Sequence, residues 1–89
     1  MAIDWDLAGF VKRSKNRQEV LKLLKDPLSP SDVAKTLKIS LTHASKIIRE
    51  LNSKGIITCL NETLKVGRIY QRTKKAEPIL EYLRKNKDI

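Results

Sequence analysis

Eighty-nine residues with a formal net charge of +9 at pH 7 describe one small domain, 1–89, whose modest core a dimer interface would naturally supplement. One cysteine and one histidine exclude a disulfide framework and a cluster with metal-ligand spacing, and no cofactor is implied. No apolar run approaches the ~20 residues of a membrane span and no charged-then-apolar leader opens the chain, so the expected location is cytoplasmic, away from membranes.

In chain order, the segment 1–13 reads as a short helix or arm carrying Trp5, Leu7, Phe10 and Val11. These large side chains can cover the chain's own core or reach a second subunit, and the sequence leaves both open. A helix is expected over 14–25, with Ser14 as its cap and Val20, Leu21, Leu23 and Leu24 as its apolar residues. Asp26-Pro27-Leu28-Ser29-Pro30 stops it.

The next helix, 30–37, has strong start signals. The Ser29 hydroxyl can take up an orphaned backbone N–H, Pro30 suits the first helical position, and Asp32 favours the positive end of the helix. Val33, Ala34 and Leu37 mark its buried face. After the break Lys38-Ile39-Ser40, in which Ile39 plugs the core, Ser40 caps a helix over 41–54 that Gly55 ends in a left-handed conformation. Its apolar stripe is Leu41, Ala44, Ile48 and Leu51, flanked by Ile47. At about 100° per residue the opposite face carries Thr42, His43, Lys46, Arg49, Glu50 and Ser53, with Ser45 at the boundary.

Two short amphipathic helices around a three-residue break form a helix-turn-helix, a device that places its second helix in the major groove of DNA. The period then changes. Runs 56–60 and 66–73 read as strands around a polar tip, 61–65, making a hairpin wing from which Lys65, Arg68 and Arg72 can reach phosphates or a minor groove. Asn61-Glu62 is not a tight-turn pair, so the tip is longer than two residues. A last helix, 77–86, carries Ile79, Leu80 and Leu83, and Pro78 places its first turn near Ala76 or Glu77. The fold class is mainly α with a small β-hairpin: a winged helix-turn-helix.

Each candidate has a plainer reading. Lys46 and Arg49 could form a solvated charged face, although the helix-turn-helix favours DNA contact. His43 can meet a base edge or phosphate, or simply lie on the surface. Glu50 would repel phosphate, and a salt bridge to Lys46 or Lys54 is expected. Ser29 and Ser31 serve capping before phosphate binding. Arg68 is read as a DNA contact over packing on its own hairpin. Tyr70 and Cys59 are read as packing residues and Trp5 as an apolar anchor.

RSKNRQEVLKLL, SPSDVAKTLKIS, ASKIIRELNSKGIITCLN and KVGRIYQRT together resemble the archaeal winged-helix transcriptional regulators related to the MarR and ArsR types, over residues 12–83. The most specific parts are Lys-Gly-Ile-Ile after the second helix of the motif and Lys-x-Gly-Arg-x-Tyr at Lys65, Gly67, Arg68 and Tyr70. The resemblance implies that Thr42, His43, Ser45, Lys46 and Arg49 meet DNA from the helix, and Lys65 and Arg68 from the wing. It departs at Thr73-Lys74-Lys75-Ala76, where relatives carry Thr-x-x-Gly.

The expected function is sequence-specific binding of double-stranded DNA by a homodimeric transcriptional regulator, its two recognition helices about 34 Å apart on a near-palindrome. A basic balance spread from residue 12 to 87 suits polyanions, although a lysine-rich thermophile surface would look alike. The alternatives are an adaptor that docks on a protein and a nucleoid-associated protein without sequence preference. No effector pocket and no nucleophile-base pair is evident, so an enzyme is not expected.

Overall fold

A fold this small rests on how well each helix buries its one apolar stripe, and here every stripe converges on one core. The computed structural model describes residues 5–65 and 67–86, so expectations touching 1–4, Val66 and 87–89 lie outside the described residues. In order come α1 (Trp5–Lys12), α2 (Lys15–Leu23), α3 (Pro30–Leu37), α4 (Leu41–Ser53), β1 (Ile57–Cys59), β2 (Tyr70–Arg72) and α5 (Ala76–Asn86). The protein is a mainly helical winged helix with a two-strand antiparallel hairpin. No described helix is long and apolar enough to cross a membrane.

α1 packs on α2 and α5, and its Ala8 and Val11 are buried in the common core. Of the two routes left open for the N-terminal apolar residues, these take the first. Trp5 does not: it stays 63% exposed, edge-on to Tyr82 of α5 with ring centroids 5.1 Å apart. α2 begins at the Ser14 cap, whose hydroxyl accepts from Arg17 N, and ends at a Leu24 cap. Val20, Leu21 and Leu24 are fully buried.

At α3 the Ser29 hydroxyl accepts from Asp32 N at 3.2 Å, while the Asp32 carboxylate accepts from Ser29 N, also at 3.2 Å. This capping box satisfies two orphaned donors reciprocally. Ser29→Ala should lower the unfolding free energy by about 1 kcal/mol, read as a lower urea midpoint at unchanged slope. α3 ends at Lys38, held left-handed at φ 57° and ψ 43°, a conformation that costs a β-carbon-bearing residue energy glycine would not lose. Ile39 then packs half-buried against the core.

Ser40 caps α4 by accepting from His43 N at 3.1 Å. Ala44, Ile47, Ile48 and Leu51 are buried, and Gly55 takes the left-handed φ of 75° beyond the helix end. Leu41 departs from the expected stripe. It shares the direction of Ile48 to within about 20°, but the first turn of α4 overhangs the core and leaves Leu41 52% exposed.

The hairpin strands are shorter than the runs that signal them, three residues each, with Cys59 opposite Tyr70 and Ile57 opposite Arg72. Beyond Cys59 the chain keeps one more bond, Leu60 N to Ile69 O at 2.9 Å, and then opens into the tip. Leu28 pairs with Tyr70 on the other side, so the segment after α2 lends the hairpin a third, single-bridge strand. Arg72 is a second departure. Its guanidinium meets Glu77 at 3.3 Å and donates to Leu21 O at 3.4 Å, joining β2 to α2 and α5 rather than facing a phosphate. Thr73 closes the sheet base by donating its hydroxyl to Gly55 O at 2.8 Å and Ile56 O at 3.0 Å. Ala76, which stands where the resembled regulators carry glycine, is fully buried. Pro78 falls in the first turn of α5, where its missing N–H has no intrahelical partner to lose.

Candidate nucleic-acid interface

Burying the stripe of α4 against α2, α3 and β1 fixes what its other side can present. Thr42, His43, Lys46 and Arg49 are exposed, and Ser45 is half-exposed. The start of the helix is its most open part: residues 40–43 are all exposed, and Ala44 is the first side chain of α4 to be buried. Among the described residues no carboxylate pairs with Lys46 or Arg49. The face therefore carries uncompensated positive charge where the helix is most accessible.

Glu50, which would spoil that charge, is handled differently from the sequence expectation. Its carboxylate meets neither Lys46 nor Lys54 but the Arg17 guanidinium of α2, at 3.5 Å. Arg17 also donates to Phe10 O at 2.8 Å and stacks 3.8 Å from the centre of the Phe10 ring. One arginine thus ties α1, α2 and α4 together and draws the only acidic group of α4 toward the protein. Lys54 lies 5.1 Å from the same ring. The Ser53 hydroxyl is turned back onto its own helix, donating to Glu50 O at 2.7 Å.

The wing supplies the remaining candidates, Lys65 and Arg68, both exposed. Lys65 has no carboxylate partner among the described residues. Arg68 is not a loose cation: its Nε donates to Leu64 O and its Nη2 to Glu62 O at 3.2 Å, so the guanidinium braces the tip from within while one edge stays open to solvent. Asn61 braces it from the base. Its Oδ1 accepts from Ile69 N at 2.9 Å and Cys59 Sγ at 3.5 Å, and its Nδ2 donates to Gly67 O at 3.1 Å. Asn61→Ala removes all three, and the Ile69 amide should then exchange with solvent about tenfold faster, the scale of one lost net hydrogen bond.

The structure thus gathers Thr42, His43, Ser45, Lys46 and Arg49 on one helix and sets Lys65 and Arg68 apart on the hairpin tip; no hydrogen bond or ion pair among the described residues joins the two groups. Sequence reasoning missed Arg17, Asn61 and the exposure of Leu41. Arg17 had no local signal, because its partner lies 33 residues away. Asn61 had one: an asparagine opening a loop is suited to bonding backbone groups nearby.

A capped helix with an open cationic face, backed by a three-helix core and followed by a hairpin, defines a winged-helix protein. No family model and no curated protein matches the chain, but solved structures do. MepR from S. aureus, in a variant from a multidrug-resistant clinical isolate, is similar with a TM-score of 0.77 and 21% identity, over 96% of this chain and 64% of that one. The adhesin competence repressor AdcR from Streptococcus pyogenes gives 0.71 and 25%, over 91% and 62%. A cysteine-to-serine variant of Lactococcus lactis ZitR, in complex with DNA, gives 0.71 and 22%, over 88% and 55%; ZitR is described as a zinc-responsive MarR family member. The likeness is to MarR-family winged-helix regulators, and the archaeal part of the resemblance gains no support from these bacterial proteins. This chain spans 55% to 64% of the lengths of these three. Among the described residues no three His, Cys, Asp or Glu side chains converge where a metal could sit.

Proposed function

We propose that this protein binds double-stranded DNA in a sequence-specific manner and regulates transcription as a cytoplasmic homodimer. α4 enters the major groove and the wing follows the backbone or minor groove. The observation that carries this reading is the α4 face itself: exposed, without acidic partners, and held rigid by the core behind it. Lys46, Lys65 and the open edge of Arg68 supply phosphate contacts and most of the affinity; Thr42, His43, Ser45 and Arg49 discriminate bases. The ZitR complex supports the reading as a protein of like fold bound to DNA.

Selection of bound duplexes from a random pool, at a stated salt concentration, tests this. An enriched two-fold motif is expected, with affinity falling with salt at a log–log slope of about −0.9 per phosphate contact. Retention of all sequences alike would point to an architectural role instead, and affinity indifferent to salt would point to a protein-docking adaptor.

A further inference from the structure

The leading turn of α4 contains one group that neither phosphate binding nor hydrogen bonding to bases can use. Leu41 is the first helical residue, immediately after the Ser40 cap, and is 52% exposed. Its neighbours Ser40, Thr42 and His43 are exposed too, and the side chains of α4 become buried only from Ala44 onward. Cβ atoms of a helix tilt toward its N-terminus, and a side chain at the first position therefore projects ahead of the helix. In a helix that enters a major groove about 12 Å wide, N-terminal residues meet the base edges. Leu41 loses its water there.

What it meets decides whether that is favourable. Base edges in the major groove present carbonyl and ring-nitrogen acceptors and amino donors, and against these an isobutyl group desolvates polar atoms without replacing their hydrogen bonds. The matching feature is the C5-methyl group of a pyrimidine, which thymine carries and cytosine lacks.

We propose that Leu41 is a specificity-determining residue that reads the C5-methyl of thymine near the end of each half-site. The inference rests on the major-groove reading above and adds to it a named base feature. Leu41 contributes selectivity rather than general affinity, since it carries no charge, and its exposure means that its loss does not disturb the core.

The test replaces each thymine of a selected duplex in turn by deoxyuridine, which removes only the methyl group. Binding of the native chain and of Leu41→Ala is then compared. With the native chain, one or two positions per half-site should lose affinity by about three- to tenfold, the scale of one buried methyl-sized group. With Leu41→Ala, whose melting temperature should equal that of the native chain, the same replacements should have no effect. A random duplex should bind both proteins equally. If deoxyuridine affects the two proteins alike at every position, Leu41 reads no methyl group and the inference is overturned while base reading by α4 stands. If no motif is enriched from the pool, base reading falls and the role of Leu41 falls with it.

Discussion

Arg49→Ala should lower affinity for a selected duplex by about 5- to 150-fold, roughly 1 to 3 kcal/mol, and should cost a random duplex far less. The reason is geometric. Arg49 is exposed on the outer face of α4 and has no carboxylate partner among the described residues, so its planar fork is free to make a bidentate contact such as that with guanine O6 and N7. Lys65→Ala makes the contrast. A flexible wing lysine is a point charge for phosphate, so its removal should weaken specific and random duplexes by the same factor and flatten the log–log salt slope by about 1. Competition binding at two salt concentrations measures both. An equal loss on selected and random duplexes for Arg49→Ala would remove it from the base-reading group.

The second large effect lies on the opposite face of the same helix. Leu51 is fully buried among the residues that seat α4, and Leu51→Ala should cost about 2 to 5 kcal/mol through lost burial and the cavity left behind. Against the 5 to 15 kcal/mol that hold a domain together, that is a large fraction. In a domain of this size it corresponds to a fall in melting temperature of about 10 to 30 °C, followed by circular dichroism. A fall of only one or two degrees would mean that α4 is not seated on the core through this residue. The comparison matters for function because the cationic face is aimed by the packing behind it.

What could be read from the sequence followed from how local each signal is. Caps and helical stripes are written within a few residues. Ser29, Pro30 and Asp32 announce α3, and Ser40 and Gly55 bracket α4, so the outward placement of Thr42, His43, Lys46 and Arg49 is legible in the sequence itself. The left-handed Lys38 was not, because no glycine marks that position. Leu41 misled for a related reason: periodicity gives the direction of a side chain around the helix but not how far the core extends along it. The wing was legible as a hairpin, yet its strands shrank to three residues each, since β-rich runs do not reveal where a tip closes on its own side chains. Glu50 and Arg72 found partners no local rule could name. Arg17 reaches Glu50 across 33 positions, and Arg72 reaches the carbonyl of Leu21 across 51; contacts of that separation are properties of the packed fold. Arg68 shows the same limit within a single loop. Its type and position suggested an outstretched cation, whereas the nearby Leu64 and Glu62 carbonyls claim part of its guanidinium.

Amide chemical-shift mapping of the labelled protein, titrated with a selected duplex, shows directly whether the outer face of α4 meets DNA. The largest changes should fall on residues 40–46, on Arg49 and on the wing around Lys65, with Glu19, Lys22 and the exposed side of α5 little affected. Changes concentrated on α1 and α5 at protein-to-duplex ratios that saturate binding, with the first turn of α4 unmoved, would contradict that contact.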